Sequence, residues 1–162
     1  MVKTVQQVPS SLRVSESLQR LALSTARLNA VSNDLATEIA PLDAALKTLS
    51  IGVPVWHAFH HSSDEYGNYW ERFVGYAKVG TKWGLACSVM QGHSSSGADE
   101  NEEWLFNDAP RWLRLEAFDH IPELLERMVS TVDETTQCIE SKIEVAKTYA
   151  DLVAPLLGPA KK

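Results

Sequence analysis

The chain has 162 residues, a formal net charge of −6 and only two cysteines. That length can bury a core without metals or disulfides, and the acidity disfavours nonspecific nucleic-acid binding, which needs a basic face to displace counterions. No segment has the uninterrupted apolar length of a membrane span, and the opening residues lack the apolar run of a secretory signal.

Residues 1–10 read as a flexible lead-in, with Ser10 or Ser11 placed to cap a helix. From there a four-three repeat begins: Val14, Leu18, Leu21, Thr25, Leu28, Ser32, Leu35, Ile39, Leu42, Leu46 and Leu49. A repeat that holds its register this long marks a helix whose narrow apolar stripe lies along another helix. Over Val14–Leu49 such a helix is about 54 Å long at 1.5 Å per residue. Pro41 interrupts it, but Leu42, Leu46 and Leu49 keep the register, so a kink is expected rather than a stop. Thr25 and Ser32 put hydroxyls into the stripe, where bonding back to helix carbonyls is the simplest reading. Arg13, Arg20 and Arg27 recur every seven residues on an outer position, either as a solvated face or as a docking row for an acidic partner.

At Ser50-Ile-Gly-Val-Pro54 the composition changes, and all five Trp and all four Phe fall between Trp56 and Phe118. Val53–His60 alternates like a strand, with Pro54 suggesting a sheet edge. Tyr69–Val79 and Lys82–Gln91 flank Gly80-Thr81, a two-residue link with glycine first, as a type II′ hairpin turn prefers. That turn places Lys78 opposite Trp83, Tyr76 opposite Leu85, Val74 opposite Cys87 and Arg72 opposite Val89, giving one large apolar face. The other face carries Gly75, Ala77, Gly84, Ala86 and Ser88, small enough to predict a helix packed across it. Residues 91–103 read as a mobile polar loop, after which Trp104-Leu-Phe106 forms at most a short fourth strand.

Asn107-Asp-Ala-Pro110 reads as a cap for a helix from Arg111 to Phe118 that presents Trp112, Leu115 and Phe118. Asp119 is placed to cap a last helix. That helix has its own stripe of Ile121, Leu125, Met128, Val132, Thr135, Ile139, Lys142, Ala146, Tyr149, Val153 and Leu156, widened by Leu124, Val129 and Val145. Pro155 and Gly158-Pro159 end it before a short tail.

The expected fold is α+β and predominantly helical, a single domain over residues 1–162. Helices at 11–50 and 120–157 form an antiparallel coiled-coil-like hairpin around an inserted antiparallel sheet of three or four strands and a short helix at 51–119. Because two helices leave much of each stripe bare, a homo-oligomer, a dimer through the long helices, is expected. Its oligomerisation stripe is Leu18, Leu21, Leu28, Leu35 and Ile39.

The chemistry-bearing residues are sparse. His57, His60 and His61, with Asp64, Glu65 and His93, come nearest to a metal site. Strand alternation would point His57 and His60 to opposite faces, so no metal and no cofactor is expected. Ser94-Ser95-Ser96 lacks the strand-turn-helix of a nucleophile elbow, and no glycine motif of a nucleotide site is present. Cys87 and Cys138 make neither a metal nor a redox spacing, and are expected as packed thiols in a reducing cytoplasm. Trp104, Arg13, Arg20 and Arg27 are the candidates for binding a protein partner. The function expected is a non-enzymatic interaction or oligomerisation module, an accessory or regulatory subunit. The alternative is a small-ligand or metal-dependent enzyme using His57, His60 and Arg111 or Arg114 between the sheet and the short helix.

Overall fold

The computed structural model describes residues 10–95, 97 and 99–157 as an α+β chain of three α-helices and one four-stranded antiparallel sheet. The lead-in before residue 10 and the tail from residue 158 lie outside the described residues. Two compact units meet at Ala45 and Leu46, inside the first helix.

Helix α1 spans Ser10–Leu49, 40 residues, or about 60 Å. It continues through Pro41, although a proline there cannot donate back to the Thr37 carbonyl. Its end is abrupt. Ser50 takes a left-handed φ of 49° and Gly52 one of 72°, a conformation that a helical residue cannot continue.

The second unit is built on the sheet, in the order β1-β2-β3-β4. The strands are β1 Val55–Ser63, β2 Asn68–Val79, β3 Lys82–His93 and β4 Glu100–Leu105. Gly80 supplies the positive φ of 60° that the two-residue turn demands. The pairs Lys78–Trp83, Tyr76–Leu85, Val74–Cys87 and Arg72–Val89 are all formed. At the far end, β3 runs to His93 and β4 begins at Glu100, so most of the expected mobile loop is paired strand. Acidic side chains at Glu100, Glu102 and Glu103 occupy this edge, where charge discourages further pairing. Low strand propensity hid β4 from a reading by composition.

Two further helices follow, α2 over Arg111–Phe118 and α3 over Ile121–Val153, the latter ending in a 3₁₀ turn at Ala154–Leu157. Neither is capped by a side chain. Pro110 and His120 hold the N-cap positions, and Asp119 lies at the C-cap of α2 instead of opening α3. The buried face of α2 is also not the expected one. Leu113 and Ala117 are buried while Trp112, Leu115 and Phe118 stand exposed. Ala109 just before α2 and Ile121 at the start of α3 are buried as well, and the small Ala117 lets α2 lie close to the sheet.

Which sheet face the helices cover is a second correction. Arg72, on the large apolar face, pairs with Glu116 and lies 5.0 Å from the Trp112 ring of α2. His57, opposite Val74 on that same face, has His120 at 6.0 Å. Val74, Leu85, Cys87, Leu113 and Leu124 are fully buried there, each worth roughly 1.5–3 kcal/mol by removal from water. On the small-residue face, a side chain of the sheet itself covers Gly75. Trp56 stands opposite Gly75, and a Cβ on that glycine would lie 2.3 Å from Trp56 Cε3 and 2.7 Å from the Val55 carbonyl. Gly75→Ala is therefore expected to destabilise the sheet by about 1–3 kcal/mol through overpacking, read by urea unfolding. An unchanged midpoint would contradict the packing of Trp56 over Gly75.

Candidate functional site

The first candidates are the histidines. β1 carries a bulge between Ala58 and His60. The extra residue returns His60, opposite Arg72, to the face that already holds His57, opposite Val74. The two therefore share a face, contrary to simple alternation. His120 stacks on Phe59 at 4.9 Å and lies 6.0 Å from His57. His61 points to the other face and meets Glu71 at 2.9 Å. Among the described residues no three His, Cys, Asp or Glu side chains come together as a metal site.

Asp64 is a turn residue. Its Oδ1 accepts the backbone N–H groups of Tyr66 and Asn68, and its Oδ2 accepts the Asn68 side-chain amide at 2.7 Å. The Asn68 side-chain bond is the main cause that holds this carboxyl below the ordinary Asp value, against a smaller desolvation effect that raises it. A lowered folded pKa means that the contribution is present above the unfolded value and fades as pH falls through the folded one. Carboxyl NMR is thus expected to place the Asp64 midpoint below 3.8, with the β1–β2 turn loosening only in more acidic solution. A midpoint at or above that value would remove Asp64 from this role.

At the same end of the sheet the Tyr69 hydroxyl donates to Asp99, which raises the phenol's pKa. His93 Nδ1, at the half-buried end of β3, lies 2.8 Å from Oγ of Ser95 in the exposed turn that follows. Cys87 is enclosed on the helix-covered face, where burial pushes its thiol up to about 12 despite Arg114 nearby. A thiol so protonated is a poor nucleophile. Cys138 is free as well, but exposed on α3 rather than packed. Trp104 is half-buried in β4 opposite Cys87, in the short fourth strand expected there. Arg111 and Arg114 are half-buried on α2.

The largest exposed apolar features lie on the long helices. On α1 every residue from 11 to 31 is exposed, including Leu18 at 60%, Leu21 at 62% and Leu28 at 44%. Leu35 is half-buried and Ile39 buried. Arg13, Arg20 and Arg27 are exposed on this same stretch. On α3 every residue from 136 to 153 is exposed, with Ile139, Ile143, Val145, Tyr149, Leu152 and Val153 all apolar. The base of this helix joins an open groove of about 600 Å³, lined by Leu46, Leu49, Ile51, Val53, Leu125 and Val132 among others. Among the described residues Asp133 is the single charged one on its wall. Neither His57, His60, Arg111 nor Arg114 lines this groove.

Sequence reasoning did not anticipate the groove, since its walls come from one turn of α1, a linker and α3. The stripe residues Leu46, Leu49, Leu125 and Val132 were the signal available. Among the described residues no helix is long and apolar enough to cross a membrane. Comparison with protein families, characterised proteins and solved structures finds no match to the chain.

Proposed function

We propose that this protein is a non-enzymatic interaction and oligomerisation module, an accessory or regulatory subunit that works through its two helical arms. One observation carries the reading: both arms present long rows of exposed aliphatic side chains, over residues 11–31 of α1 and 136–153 of α3. Isolated surface leucines are ordinary, but contiguous apolar surface on this scale marks an interaction site. In the assembly we propose, α1 and α3 come together as an antiparallel coiled-coil-like hairpin and a second copy completes a homodimer, covering the rows that the single chain exposes. The aromatic body, with Trp104 on its edge strand, offers a second contact for a protein partner. Two unpaired cysteines agree with a reducing cytoplasm.

Co-expression of tagged and untagged full-length chains tests the reading. The untagged chain is expected to co-purify with the tagged one in near-equal amount. Recovery of the tagged chain alone would overturn it.

A further inference from the structure

The two arms differ in charge and in the width of their apolar rows, and both differences bear on how copies pair. On α1, residues 10–31 carry Arg13, Arg20 and Arg27 against the single acid Glu16. On α3, residues 132–153 carry five acids, Asp133, Glu134, Glu140, Glu144 and Asp151, against Lys142 and Lys147. One exposed arm is thus cationic and the other anionic.

The heptad row of α1 is narrow, flanked by small or polar residues such as Ser17, Ala22 and Ser24, while exposed Leu12 and Leu23 lie on the opposite side of the helix. That of α3 is wide. Ile143 and Val145 flank its Ile139 and Tyr149 on either side, and all four are exposed. Together they cover roughly half of the helix circumference at 100° per residue. A single narrow helix covers a stripe, not a half-cylinder. An α3 arm paired with one α1 arm therefore retains an apolar flank, and a second helix is needed to cover it.

Charge decides which helix that is. Pairing α3 with the α3 of another copy would bring two anionic surfaces together, and α1 with α1 would do the same for two arginine rows. Unlike arms attract. We infer that the apolar flank of α3 is covered by the α1 arm of a second copy, its arginine row meeting the acidic margin of α3, so that cationic and anionic helices alternate around a four-helix bundle. This pairing rests on the oligomerisation reading above and specifies its partner.

Charge exchange in the full-length chain tests it, with the mass of each variant followed by light scattering over a dilution series. All the substituted side chains are exposed, and circular dichroism checks that helix content is retained. R13E/R20E/R27E is expected to weaken the dimer about tenfold or more, and D133K/E134K/E140K to do the same. The variant carrying all six substitutions exchanges the charges between the arms, and its dimer is expected to return to within a few-fold of the original. High salt weakens the unsubstituted dimer. The pairing is overturned if the losses simply add in the six-fold variant, or if neither triple variant weakens the dimer. A chain that is monomeric at every concentration would overturn the oligomerisation reading itself, and the pairing with it.

Discussion

Replacing Leu124 by alanine is expected to destabilise the body by about 2–5 kcal/mol. Leu124 is fully buried in the first turns of α3, and Ala109, Leu113, Ala117 and Ile121, which precede it, are buried as well. A void there loses the transfer energy of the side chain and also leaves its neighbours without contacts. Ala117 of α2 cannot fill the gap, because it is already fully buried and its side chain is a single methyl. Urea unfolding followed by tryptophan fluorescence reports on the body directly, since all five Trp lie in it. Leu152→Ala provides the contrast. That residue is 68% exposed, and in a monomeric background the change is expected to cost less than about 0.5 kcal/mol. A small effect at Leu124 would contradict a core placed between α2, α3 and the large face of the sheet.

The second large effect concerns the arms. Leu21→Glu combined with Ile139→Glu is expected to weaken self-association about a hundredfold or more and leave the body's unfolding transition in place. Leu21 is 62% exposed and Ile139 53% exposed, so neither substitution costs the isolated chain a buried contact. In an assembled bundle each would instead force a carboxylate into an apolar seam, twice over in a dimer. Loss of burial for two aliphatic side chains at roughly 1.5–3 kcal/mol each accounts for that factor without any new repulsion. Sedimentation at matched concentrations reads the association, and the tryptophan-detected transition reads the fold. Unchanged association would remove the stripe from the interface.

Much of this architecture is legible in the sequence, and the reasons are local. The Gly80-Thr81 turn sets the register of the central hairpin, because a two-residue loop allows one pairing and a slip would turn every side chain over. Helix α2 has the expected bounds of Arg111–Phe118, fixed by Pro110 and the break at Asp119. The errors come from effects that composition does not record. A bulge at Phe59 adds one residue without a turn signal, and so reverses which face His60 joins. The acidic strand at Glu100–Leu105 is held by pairing with β3 rather than by its own propensity. The buried face of α2 is that of Leu113 and the small Ala117, which allows close approach, against the larger Trp112 and Phe118. Trp112 gains a different role, stacking on the Arg72 guanidinium that also binds Glu116.

The functional residues divide in the same way. The arm stripes are visible in the heptads because periodicity is a one-dimensional signal. The groove at Leu46, Ile51 and Val132 is not, because it exists only once α1's last turn and α3 are brought together by the sheet. Trp104 is a mixed case: the apolar run that it opens reads as a short strand, but its partner Cys87, 17 residues away, is set by pairing across the loop.

Self-association through the arms is measured directly by light scattering of the full-length chain across a wide dilution series. Pairing of the arms predicts twice the chain mass at high concentration, falling toward one on dilution or in high salt. The mass of a single chain at every concentration would contradict it.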